Sequence, residues 1–199
     1  MKKFELTNEF VTNMFGTKLF RIRALVEFGD VEAGELGGYV EKESNLGHDD
    51  NAWVYGDARV YDNALVYDNA RVYGDAQVSG DARVYGNARV CGDALVCGNA
   101  RVYGNALVCG NARVCSDEDY AYAHGFGSVN RTTTFFRLKD GGVGVRCGCF
   151  YGTLAQFRDK IRETHGETKK AQEYLMLADL MELRFEEDEN EVGNRKYVE

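Results

Sequence analysis

From Asp50 to Cys115 the chain repeats one six-residue unit eleven times without insertion or deletion: Gly or Asp, then Asp or Asn, then Ala, a variable residue, Val, and finally Tyr, Cys or Ser. An internal period outranks every other sequence signal, and six is too short for helical repeats, which take tens of residues; it is the period of a parallel β-helix. Ala52 and Val54 open two columns that end at Ala112 and Val114. Residues two apart on a strand share a face, so both columns point inward. The Gly/Asp and Asp/Asn pair between strands is of the type that tolerates a left-handed backbone, which places a corner in every unit.

Three strands and three corners close a triangular coil of eighteen residues. The spacing of an aliphatic residue, two or three spacers and a small residue resembles the left-handed β-helix of the hexapeptide-repeat family, with Val and Ala matching in every unit. That family includes acyltransferases, nucleotidyltransferase domains, γ-type carbonic anhydrases and non-enzymes, so function must be read from sites and not from the fold.

The flanks complete a mainly β chain. Residues 1–49 read as an N-terminal β cap with a degraded first coil around Gly38, Tyr39, Val40, Ser44, Asn45, Leu46 and His48, since the open end of a repeat array needs covering. Residues 50–115 are the β-helix. Residues 116–185 predict a ββαα module: a hairpin of Thr132–Lys139 with Val143–Tyr151 around Asp140-Gly141-Gly142, a helix opened by the Thr153/Gln156 capping box, and a second helix from about Thr168. Residues 186–199 form an acidic tail. This order, with Phe28-Gly29-Asp30-Val31, Ala33, Gly34, Gly37-Gly38-Tyr39 and Cys147-Gly148-Cys149-Phe150 among its marks, resembles hexapeptide proteins common in bacterial and phage genomes. The resemblance implies relatives but no established reaction.

A net charge of −8 argues against a nucleic-acid partner, which calls for a basic patch. No stretch suits a signal peptide or a membrane span, so the expectation is a cytoplasmic protein with no membrane partner. The six cysteines fit that reading: Cys91, Cys97, Cys109 and Cys115 alternate with Tyr and Ser at one repeat position, as small strand residues and not a disulfide framework, so reduced thiols are expected.

Catalytic chemistry is sparse. An acyltransferase of this fold uses a histidine base on a coil, and the eleven units carry none; of the three histidines outside them His124, in the segment Tyr120–Gly125 just after the last unit, is the best candidate base. A zinc site of the carbonic anhydrase type needs three converging histidines, whereas His48, His124 and His165 are scattered, and Cys147 with Cys149, read as one strand face, lacks a second pair. No metal or other cofactor is expected. The outward columns say more, because residues eighteen apart stack at about 4.8 Å. One face sets Tyr67, Tyr85 and Tyr103 beside Leu65, Arg83 and Arg101; a second sets Tyr55, Tyr73, Cys91 and Cys109 beside Trp53, Arg71, Arg89 and Leu107; the third sets Tyr61, Ser79, Cys97 and Cys115 beside Arg59, Gln77, Leu95 and Arg113. Tyr and Arg are enriched in interface hot spots, so Tyr67, Tyr85, Tyr103, Arg83 and Arg101 are the candidate contact surface. The leading expectation is a non-catalytic binding or scaffold protein, a homo-oligomeric trimer or dimer. The alternatives are a phage-type counter-defence protein binding a nucleotide signal or host effector, and an acyltransferase-like enzyme using coenzyme A at a subunit interface.

Overall fold

The computed structural model describes residues 2–127 and 130–186; of the tail read as 186–199, all but Glu186 lies outside the described residues. In each hexapeptide the variable residue and Val form a two-residue strand, and strands one coil apart pair in parallel, in register, eighteen residues away. One sheet holds β4 (Trp53–Val54), β7 (Arg71–Val72), β10 (Arg89–Val90) and β13 (Leu107–Val108), and a second holds β6 (Leu65–Val66), β9 (Arg83–Val84) and β12 (Arg101–Val102). The third runs β1 (Phe4–Thr12), β2 (Lys18–Ala24), β3 (Leu36–Val40), β5 (Arg59–Val60), β8 (Gln77–Val78), β11 (Leu95–Val96) and β14 (Arg113–Val114). The result is a parallel β-solenoid of about four turns. Every Ala and Val of the two columns is at most 1% exposed, so the interior is one continuous aliphatic core. Full burial of a Val stabilises by roughly 1.5–3 kcal/mol, which is why so short a strand can be repeated without loss of order.

The direction of the ladder makes the two ends chemically opposite. Each coil donates its N–H groups to carbonyls of the next, as in Trp53 to Ala70 at 3.1 Å and Arg71 to Ala88 at 3.0 Å. The N-terminal end therefore presents bare carbonyls and the C-terminal end bare N–H groups, and a buried backbone group without a partner is costly. At the first end these carbonyls meet donors. Backbone N–H groups of Tyr39 and Glu41 reach Ala58 and Val60, the Lys3 ammonium reaches the carbonyls of Ala52 (2.9 Å) and Asp50 (3.4 Å), and the Asn45 amide reaches those of Ala64 (2.8 Å) and Asp62 (3.1 Å). At the other end the bare N–H groups meet acceptors: the Thr134 hydroxyl for Leu107 N–H (3.0 Å), Asp117 for Arg101 N–H (2.7 Å) and Asp119 for Cys115 N–H (2.9 Å).

The N-terminal hairpin of β1 and β2 continues the third sheet in antiparallel fashion beyond β3. It also corrects one outward assignment. Trp53, expected on the surface beside Arg71, is fully buried, with Phe4 and Phe28 edge-on to its ring and Ile22 in the same core. Its position faces outward in the repeat, but in the first coil the cap lies over it.

The C-terminal module has twice the expected strands. β15 (Tyr120–Phe126), β16 (Arg131–Arg137), β17 (Val143–Cys147) and β18 (Phe150–Thr153) form an antiparallel meander, followed by α1 (Leu154–His165) and α2 (Lys169–Phe185). The module is therefore ββββαα and not ββαα, because Tyr120–Phe126 pairs with β16 and because Gly148, at φ +57°, turns the chain where one strand was expected. Thr153 and Gln156 make the reciprocal capping box of α1. Strand β16 closes the solenoid: Phe136 and Leu138 enter the solenoid core, while Phe135, on its opposite face, joins Val145, Leu154, Phe157 and Tyr174 in a second core.

The cysteines do not all match the expectation of reduced thiols. Cys97 and Cys115, stacked one coil apart with Cα atoms 4.3 Å apart, are joined as a disulfide, whereas Cys91, Cys109, Cys147 and Cys149 are free. Column stacking sets cysteines eighteen residues apart side by side, and at Cys97 and Cys115 the two sulfurs are bonded, so these thiols no longer support a reducing compartment. No helix among the described residues is long and apolar enough to cross a membrane.

Candidate functional site

The corner residue that ends β6, β9 and β12 is tyrosine in three successive coils, and the three rings stack. Tyr67 and Tyr85 lie 5.0 Å apart between ring centroids with planes 3° from parallel; Tyr85 and Tyr103 follow at 5.3 Å and 15°. Tyr67 and Tyr85 are half-buried and Tyr103 is 41% exposed. Two further tyrosines close it, Tyr120 and Tyr122 of β15, whose rings stand edge-on to Tyr103 at 6.5 and 6.0 Å. The Tyr122 hydroxyl sits where a Cβ on Gly104 would be, so only glycine at that corner lets β15 come so close.

Arg83 and Arg101, on the strands next to the stacked rings, are exposed and have no ion pair among the described residues. Burial pushes the Tyr67 hydroxyl above its ordinary pKa, with the neighbouring Tyr85 and Asp68 adding to the effect and both arginines opposing it. Tyr120, deeper in the same cluster, is pushed up further by burial. The face is thus a rigid strip of neutral aromatic rings bordered by two free guanidinium groups, a surface suited to stacking, cation–π contact and hydrogen bonding.

The other sequence candidates do not converge. His124 is exposed on β15 with its Nδ1 3.0 Å from the Thr132 hydroxyl. His48 belongs to the N-terminal cap, stacked on Phe4, accepting from Lys3 N–H (3.1 Å) and paired with Glu43 (2.9 Å), and His165 ends α1 against the Tyr174 ring. Cys147 and Cys149 do not share a strand face, since the Gly148 turn separates them; Cys147 accepts from the Thr133 hydroxyl at 3.2 Å. Among the described residues no three His, Cys, Asp or Glu side chains are grouped to hold a metal ion. In the corner columns Asn51 donates to Asn69 at 3.0 Å, the first rung of an amide ladder. A groove beside α2 is lined by Val143, Thr153, Leu154, Glu182, Phe185 and Glu186, and its one hydroxyl, on Thr153, is engaged in capping α1.

Sequence reasoning missed Tyr120 and Tyr122. Their signal was present, as the alternation Tyr-Ala-Tyr-Ala directly after the last hexapeptide is a strand pattern of period two.

Comparison with known proteins agrees with the repeat body. Residues 52–67, 58–74, 64–80, 76–92 and 94–110 match the model of the YdcK β-solenoid repeat. No curated protein matches the chain. All the matched stretches lie within the hexapeptides, so the likeness concerns the repeats and not the N-terminal cap or the C-terminal module. The repeat body is accordingly similar to the YdcK β-solenoid repeat, a repeat β-solenoid family.

Proposed function

We propose that the protein is a non-catalytic binding or scaffold protein that assembles with copies of itself through the Tyr67, Tyr85 and Tyr103 face. In this reading the coils wind left-handed into a triangular prism, as the hexapeptide resemblance implies, and the prism is a rigid spacer and display surface. The observation that carries the reading is the continuous, near-parallel tyrosine stack with Arg83 and Arg101 beside it, exposed and without an ion pair among the described residues. Rings already ordered by the fold lose little entropy on contact, which favours them as interface anchors. The lack of a base, nucleophile and metal cluster at one place favours binding over catalysis among the described residues. A trimer of parallel solenoids is the first arrangement to test, with a dimer through the terminal module as its competitor.

The test replaces Tyr85 by Glu and Arg83 by Asp and measures mass by light scattering. The charges act at the surface and leave the Ala and Val core untouched, so the circular dichroism spectrum should be unchanged while the mass falls to that of a single chain. An unchanged mass would move the contact to another surface, and a monomeric wild type would remove self-assembly altogether.

A further inference from the structure

The column after β7, β10 and β13 runs Tyr73, Cys91, Cys109, and its last two members stand in the same relation as the disulfide pair Cys97 and Cys115. Arg89 and Val90 pair with Leu107 and Val108 as Leu95 and Val96 pair with Arg113 and Val114. The Cys91 N–H donates to Val108 at 2.9 Å and the Cys97 N–H to Val114 at 2.8 Å, so the corners that carry the sulfurs are superposable in register. One pair is oxidised; the other is a pair of free thiols within hydrogen-bond reach of each other.

We propose that Cys91 and Cys109 form a thiol–disulfide exchange site for low-molecular-weight disulfides, with Cys91 the attacking thiolate and Cys109 the resolving thiol. Their burial divides the roles. Cys109 is 6% exposed, whereas Cys91 is half-buried and reachable from solvent. The charged and titratable groups around Cys91 act on it in the same direction: the Tyr73 hydroxyl and the Cys109 thiol hydrogen-bond Cys91 from the coils before and after, and Arg146 of β17 and Arg89 of β10 add positive charge. The Arg146 Nε is buried and has no hydrogen-bond acceptor among the described residues, so its charge is not already spent on another partner. The Cys109 hydrogen bond, the largest of these effects, outweighs burial and holds the Cys91 thiol down at about 6, while the same coupling and burial push Cys109 up. A low-pKa, accessible thiolate beside a protonated resolving thiol is the arrangement exchange chemistry needs.

The steps balance as follows. The Cys91 thiolate attacks one sulfur of a disulfide RSSR, forming a Cys91–SR bond and releasing RS⁻. Cys109 then gives its proton to solvent and attacks the Cys91 sulfur, forming the Cys91–Cys109 bond and releasing the second RS⁻. Two protein thiols are oxidised and one small disulfide is reduced to two thiols.

The full chain, freshly reduced and desalted, is treated with glutathione disulfide, the remaining thiols are blocked, and unreduced peptides are mapped by mass spectrometry. Wild type should yield a Cys91–Cys109 cross-link. Cys109→Ser should convert that product into a glutathione mixed disulfide at Cys91, and Cys91→Ser should abolish both. Serine already occupies the corresponding corner of the neighbouring column at Ser79, so these variants are compatible with the coil. A second reading needs no variant: the rate of Cys91 alkylation by iodoacetamide against pH. At pH 7 a thiol with a pKa of about 6 is ~90% ionised against ~3% for an ordinary one, but its weaker nucleophilicity returns most of that gain, so the midpoint is more diagnostic than the plateau. A midpoint near pH 6 supports the site. A midpoint near ~8.5, or glutathione carried on Cys149 with Cys91 unmodified, would overturn it.

Discussion

At the residue scale the decisive position is the first of each hexapeptide. All eleven of these residues, Asp50 to Gly110, adopt positive φ, with Asp at 50, 62 and 68 and Gly elsewhere. The aspartates are not merely tolerated: Asp62 and Asp68 accept from the N–H of Gly80 and Gly86 one coil on, at 3.1 and 3.0 Å. How closely successive glycine corners approach varies along the chain, since Gly56 also has a glycine, Gly74, one coil on. A Cβ at Gly92 would lie 3.0 Å from Gly110 N, whereas at Gly56 the nearest atom is 3.9 Å away. Gly92→Ala should therefore cost at least the 1–2 kcal/mol of left-handed strain, and Gly56→Asn, in open space and of a residue type suited to positive φ, no more than about 0.5 kcal/mol. Urea denaturation of the two variants checks this; equal losses would show that coil-to-coil approach does not choose glycine.

At the element scale the opposed ends of the ladder give each cap a required polarity. Asn45 is wholly buried and gives both its donors to carbonyls of the first coil. Asn45→Leu should cost about 1–3 kcal/mol, the penalty for stranding a buried acceptor, and Asn45→Asp more, since it sets a carboxylate against two carbonyls. Asp117, at the far end, accepts an N–H, and an amide oxygen can do the same. Asp117→Asn should therefore be nearly silent. Chemical denaturation of the three variants is the check; an Asn45→Asp as mild as Asp117→Asn would mean that the ends are not polar in the sense derived. The same requirement explains Lys3, whose ammonium lies among backbone carbonyls and over the Phe28 ring although burial lowers its pKa to about 8.

For the whole molecule, several tyrosines seated between elements couple stability to alkaline pH. Burial, first among the causes in each case, raises Tyr55, Tyr73 and Tyr174 to about 12. Tyr55 donates to Asp30 and so ties the N-terminal cap to the first coil, and Tyr174 donates to the Phe126 carbonyl and ties α2 to β15. An unfolded chain releases these protons near pH 10. Their contribution is thus complete below about pH 10 and is lost as pH rises through about 12. Lys3, with a lowered pKa, has the opposite sign between about 8 and 10.5, where its deprotonation in the folded state relieves a cost. The melting temperature should fall steeply over the tyrosine window, and Tyr55→Phe with Tyr73→Phe should flatten the fall. A flat profile in the wild type would contradict the burial of these hydroxyls.

The sequence by itself determined what repeats locally. A period of six with Ala and Val two apart defines a solenoid with an aliphatic interior, because each unit reads its neighbours eighteen residues away through an identical register. The corners follow from residues that accept positive φ, and the start of α1 follows from Thr153 and Gln156 three residues apart on the chain. What depended on distant packing was not legible there. Trp53 reads as an outward residue until Phe4 and Phe28 cover it, and the extra strands of the C-terminal module were hidden by a glycine turn and by pairing partners that only the folded sheet supplies. The tyrosine columns could be lined up from the repeat, but their closure by Tyr120 and Tyr122 could not. The chemistry of Cys91 depends likewise on Tyr73, Cys109 and Arg146, which meet only after three coils and the terminal sheet have come together. Local spacing sets the coil, because neighbouring groups find each other at little cost in chain entropy; the environment of a side chain is set by groups far along the chain, and only the tertiary structure brings those into contact.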